Sequence, residues 1–254
     1  MRHYCDMEII AGLLAGVFIG AVLGFVGAGG AMLSVPILLY AFDFTPQAAT
    51  TAALAVVLLA AGSGLLPKLK TGDVLIKEAL VIWSLGLVTN LGGSLVSHKL
   101  SDNVITTGFS VVMLAAGSVM LVKPVAGTEK KVPVFWLVVI SLVIGAITGL
   151  FGIGGGFLAI PILVLFFKNS PSKAAGTGLA IIFLNSTTAF FGHFQNWELV
   201  NWVVPVSMAV AAVVVARVSS IRSGQVNPAL LRRAFAVLLY LIALFTLIET
   251  WVIA

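Results

Sequence analysis

The chain has 254 residues, of which 60% are apolar and only 9% carry charge; the net charge is +5 and the mean hydropathy +1.16. A soluble domain carries nearer a quarter charged residues, and this chain has too little polar surface to cover a particle in water, which excludes a soluble enzyme, a secreted disulfide scaffold and a disordered chain. The single cysteine, Cys5, permits no internal disulfide, and the basic residues do not cluster among aromatics, which argues against a nucleic-acid partner.

Long apolar runs fill the sequence: Ile9–Val26, Ala31–Phe42, Ala48–Leu66, Ala79–Val96, Val104–Val122, Val134–Phe151, Phe157–Phe167, Ala174–Phe191, Leu199–Ala216 and Ala234–Ala254. Most hold at least the ~18 residues that cross a ~30 Å hydrocarbon layer as helix, and in lipid only helix satisfies the backbone within one segment. Ala31–Phe42 and Phe157–Phe167 hold 12 and 11 residues. At 1.5 Å per residue each reaches about 18 Å, roughly half the layer. Arg2 and the apolar stretch from Ile9 have the outline of a signal peptide. The same stretch recurs in mid-chain, so the N-terminus is read as retained.

The recurrence is an internal repeat. Residues 20–55 shifted by 125 positions meet 145–180 with 15 identities in 36. They include Gly20/Gly145, Gly24/Gly149, Gly27/Gly152, Gly29/Gly154, Gly30/Gly155, Pro36/Pro161 and Pro46/Pro171. Repeat 1 covers about 9–122, a loop covers 123–133 and repeat 2 covers about 134–254.

Charge selects the topology. Four crossings per half would divide the 14 Lys and Arg residues seven against seven. If each Gly-rich motif is instead the tip of a hairpin that enters and leaves on one face, 12 basic residues lie on one side. Only Arg2 and Lys99 lie on the other. The positive-inside rule selects the second arrangement. It predicts an all-α integral membrane protein of two inverted repeats, each a Gly-tipped hairpin followed by three transmembrane helices. Both termini then lie on the non-cytoplasmic side of the cell (inner) membrane.

The tips, Gly27-Ala28-Gly29-Gly30 and Gly152-Ile153-Gly154-Gly155-Gly156, are the leading binding candidates. Glycine lets backbone N–H groups approach a ligand closely, and the helix that follows presents unpaired N–H groups and partial positive charge. Two such ends meeting near the midplane would bind a small anion. The candidate set is Gly27, Gly29, Gly30, Ala31, Gly152, Gly154, Gly155 and Gly156 from the tips, with hydroxyls and an amide from Ser34, Thr51, Thr177 and Asn185. Gly12, Gly16, Gly20 and Gly24 recur at spacing four and read as helix packing instead.

No acidic or basic residue falls deep in a run by this division. Glu8, Glu78 and Glu249 lie near segment ends, and His193, Phe194, Trp197 and Trp202 fall in an outer loop with the look of an interfacial belt. The HExxH, GxSxG and GxxxxGK[ST] signatures are absent. The reading is therefore no enzyme and no metal or other cofactor. Partners are the bilayer and a small anion, with proton coupling and a homodimer both compatible.

The doubled G-x-G-G motif, each followed within seven residues by Pro36 or Pro161 and then by Thr51 or Thr177, resembles the sulfite exporter (TauE/SafE) family of membrane permeases. The family's acidic position is matched by Glu198 beside Trp197 and by Asp73 without a Trp. Ala31 departs from the third Gly of the other copy. The resemblance implies secondary transport, often export, of sulfite or a related organosulfur anion by alternating access. An anion channel lined by the same tips, or a non-transporting membrane scaffold, are the alternatives.

Overall fold

A computed structural model describes residues 2–27, 30–97, 102–121, 133–151, 160, 163 and 170–253. Among these the chain is helices joined by short turns, without a strand. The helices are α1 (Arg2–Val26), α2 (Gly30–Pro36), α3 (Pro46–Lys70), α4 (Ile76–Ser97) and α5 (Asp102–Leu121). They continue as α6 (Val134–Phe151), α7 (Pro171–Gly192), α8 (Val203–Arg222) and α9 (Pro228–Ile248). Six described segments are long and apolar enough to cross a membrane, in α1, α3, α5, α7, α8 and α9. The protein is a multi-pass α-helical membrane protein.

Proline sets several boundaries. Thr45 and Ser170 are extended and precede Pro46 and Pro171, the first residues of α3 and α7, where proline costs no hydrogen bond. Asn227 caps α9 in the same way, accepting the Ala229 N–H at 2.9 Å ahead of Pro228. Pro36 ends α2, and a wide π turn (Ile37–Ala41) follows, since proline cannot supply the next ladder hydrogen bond. As the apolar run length predicts, the α2 arm is short. Of the matching run Phe157–Phe167 only Ile160 and Leu163, both buried, are described.

Helices 125 residues apart pair with each other, and they pair antiparallel. Along α3 and α7, Thr51 meets His193, Gly62 meets Phe183 and Lys68 meets Ser172. Along α5 and α9 with the π turn that follows it (Glu249–Ile253), Thr107 meets Trp251, Ser110 meets Thr246 and Ser118 meets Tyr240. The first helix of each half crosses to the other: α1 packs on α8, which also packs on α3, and α6 packs on α4. Shifting α1 and α8 by 125 positions, in opposite senses, gives α6 and α4.

The α1–α8 contact is made by the glycines at spacing four. Gly12, Gly16, Gly20 and Gly24 face Ser207, Met208, Ala212 and Ala216 in turn, so the two helices run parallel. A methyl group on Gly20 would stand 2.6 Å from the Ala212 carbonyl oxygen, and one on Gly24 2.5 Å from that of Ala216. Gly145 of α6 presses on Gly86 and Thr89 of α4 in the same manner. Small residues let backbones approach where lipid gives no hydrophobic drive for association. The opposite face of α8 (Val206, Val210, Val214, Val218, Ile221) is exposed and apolar, as a lipid-facing surface must be.

Candidate functional site

The first tip is built by Gly27, whose φ of +78° is open to glycine but strained for other residues. Its amide continues α1 by donating to the Leu23 carbonyl at 2.8 Å. Gly27 is buried against Ala175 in the first turns of α7, and its carbonyl oxygen lies 2.8 Å from where a Gly178 methyl would stand. Ile160 of the second half touches the same glycine, its Cδ1 3.0 Å from that position. The tip of one half and the short arm of the other therefore meet on Gly178. Gly30 begins α2 against Leu23, and Ala31 follows it in the helix. The Ser34 hydroxyl is buried and donates to the Gly30 carbonyl at 2.6 Å. Gly29, Gly152, Gly154, Gly155 and Gly156 lie outside the described residues.

The threonines are separated. Thr177 is buried near the tip, where its hydroxyl donates to Lys173 O at 2.7 Å and accepts the Leu75 N–H at 3.0 Å. Thr51 lies at the other end of the same helix pair. It donates to Gln47 O at 2.8 Å and lies 3.3 Å from Nδ1 of His193. Sixteen residues of α7 separate Thr177 from His193, about 24 Å, so in this conformation one small anion cannot touch both threonines. The cause is the antiparallel α3–α7 pair, which sends matching early positions to opposite ends. His193 caps α7 and is half-buried, and burial lowers its pKa below the ordinary imidazole value. Around it, Phe190 stacks on Trp197 with centroids 4.7 Å apart, and the Trp197 indole donates to Phe190 O at 3.2 Å. Asn185 is half-buried and engaged. Its neighbour Ser186 is buried, and among the described residues its hydroxyl has no hydrogen-bond partner.

Charge is distributed differently from the sequence division into runs and loops. Lys68, which lies beyond the apolar run Ala48–Leu66, is inside α3, which continues through Pro67 to Lys70, and is only 4% exposed. Its ammonium donates to Ser172 Oγ at 2.7 Å. Ser172 donates in turn to Asp73 Oδ2 at 2.7 Å, while Lys68 and Asp73 stand 4.0 Å apart. At the opposite end, a cavity of about 300 Å³ is lined by Glu8, Asp43 and Asn201 among others. Its two carboxylates repel an anion, and none of the candidate residues lines it.

A multi-pass helical bundle with a buried glycine-bent hairpin tip packed against the first turns of α7, and no extramembrane domain among the described residues, has the architecture of a membrane permease. The family model for the sulfite exporter TauE/SafE matches residues 12–246. The chain belongs to that family of membrane transporters. It is 27% identical over 233 residues to a "probable membrane transporter protein", YunE of Bacillus subtilis, covering 81% of this chain and 85% of that one. A "probable membrane transporter protein" of Xylella fastidiosa is 26% identical over 255 residues, 96% of this chain and 97% of its own. No solved structure matches.

Proposed function

We propose that this membrane transporter is a secondary exporter of a small sulfur-containing anion, sulfite or an organosulfonate, working by alternating access between two inverted halves in the cell membrane. The observation that carries the reading is the meeting of Gly27, Gly178 and Ile160, where the buried tip of one half touches the short arm of the other. A solute held there contacts both halves, which alternating access requires. The antiparallel pairing of α3 with α7 and of α5 with α9 supports opposite orientation of the halves. The unpartnered Ser186 hydroxyl supports a polar passage along α7, because a buried hydroxyl without a partner costs about 1–3 kcal/mol that a passing oxyanion relieves. Backbone N–H groups of Gly29–Ala31 and Gly154–Gly156, with Ser34, Thr177 and Asn185, are proposed to contact the anion in the course of the cycle, and Thr51 at the other end of its path. Proton coupling requires no protein carboxylate if the anion itself carries the proton.

Purified protein in liposomes, loaded with sulfite, sulfate or ethanesulfonate, tests this reading. Saturable, counterflow-stimulated sulfite or sulfonate flux is the expected result. Flux without counterflow marks a channel, and absence of flux for all three anions rejects the substrate class.

A further inference from the structure

We infer that Lys68 is a switchable counter-charge for the transported anion, held by Ser172 and Asp73 between transport events. The inference rests on the anion-transport reading above and adds a side-chain ligand to a site otherwise built from backbone and hydroxyls.

Burial and connectivity set the argument. An ammonium has three N–H donors, and a buried cation without full compensation is costly. Among the described residues the Lys68 ammonium donates only to Ser172 Oγ, at 2.7 Å, and its nearest carboxylate stands off at 4.0 Å. Ser172 occupies the space between, passing its own hydrogen to Asp73. Asp73 is committed elsewhere as well, accepting from Thr71 Oγ1 at 3.2 Å. The ammonium is thus placed near a carboxylate without direct contact and retains donors for an oxyanion.

The position borders the first tip. Lys68 Cβ lies 3.2 Å from where a methyl on Gly176 would stand, and Gly176 is flanked by Ala175 and Thr177, the residues beside the first tip. The cluster also joins the halves, since Lys68 and Asp73 belong to the first and Ser172 to the second. At the other end of the pair the position 125 residues beyond Lys68 is His193, which again bridges the halves, to Thr51. The two ends are therefore closed by matched contacts, and only one of them carries a lysine. An anion arriving at the tip draws the Lys68 ammonium off Ser172 and away from the Asp73 carboxylate, so that binding and opening at this end are one event.

The test is anion affinity of full-length protein in nanodiscs, measured by calorimetry with sulfite, sulfate and ethanesulfonate. Lys68→Gln is expected to weaken binding by about ten- to a hundredfold, as for loss of a charge-assisted hydrogen bond, with Lys68→Arg restoring most of it. Asp73→Asn and Ser172→Ala are expected to tighten binding, because each releases the ammonium. A purely structural cluster gives the opposite pattern: Asp73→Asn and Ser172→Ala then weaken binding or leave it unchanged, and the inference is overturned. These two variants decide the matter even where Lys68→Gln fails to fold. Wild-type protein that binds none of the three anions removes the transport reading and this inference together; wild-type binding with unaltered affinity in Lys68→Gln removes this inference alone.

Discussion

Replacing Gly27 with alanine tests whether the first tip depends on backbone contact with α7. Two costs are separable. Holding a non-glycine residue at φ +78° costs about 1–2 kcal/mol. The added methyl would also stand 2.5 Å from Ala175 Cα and 2.7 Å from its carbonyl carbon. Neither is a side chain that can swing away, and such overpacking costs about 1–3 kcal/mol. Gly72 supplies the control: its φ is +72°, in the turn after α3, and nothing lies within 4 Å of its missing Cβ. Gly72→Ala therefore pays the strain alone. The difference between the variants, about 1–3 kcal/mol, corresponds to about 2–12 °C at 2–4 °C per kcal/mol for a chain of this size. Thermal unfolding in one detergent, followed by tryptophan fluorescence, measures it. Equal melting temperatures for the two variants would refute the close approach of tip and α7.

Three further outcomes follow from named contacts. Ser220 donates to the Gly64 carbonyl at 2.6 Å in the buried α3–α8 seam, so Ser220→Ala should lose about 1 kcal/mol in the same melts, whereas Ser118→Ala, exposed on α5, should lose less. Burial holds the folded pKa of His193 below 6.5, so the unfolded chain binds the proton first. The His193 contribution to stability is then complete above pH 6.5 and declines as pH falls from there through the folded value; His193→Gln should flatten the melting temperature over that interval. A reporter fused after Ala254 should be active on the non-cytoplasmic side, and cytoplasmic activity would reject the charge-derived orientation.

Sequence reading recovers the features that depend on length and period. A helix must be long enough to cross, so the run lengths separate the long helices from the α2 arm, and glycines at spacing four identify the α1 face that meets α8. Lys68 escapes the same logic. Counting assigns any lysine near a Pro to a loop, but α3 continues through Pro67, forgoing the bond its N–H would have made to the Ser63 carbonyl, and the helix carries Lys68 inward with it. A signal was available: Lys68 and Asp73 lie 125 residues before His193 and Glu198, so the repeat extends into the polar segments. The Thr51–His193 and Lys68–Ser172 contacts span 142 and 104 residues, and no local pattern encodes such distances. Ser34 illustrates a different limit. A serine within a helix has the carbonyl four residues back always within reach, and the structure gives the Ser34 proton to that carbonyl.

The exchange of partners between α1–α8 and α6–α4 means that neither half encloses its own first helix. Each lends that helix to its counterpart and receives one in return, an arrangement close to a swapped dimer written on a single chain. Severing the connection at 122–132 should leave two fragments that are insoluble or degraded when made singly and recover a common fold when made together. The glycine rows are then less a decoration of one helix than the clasp by which two incomplete bodies become one.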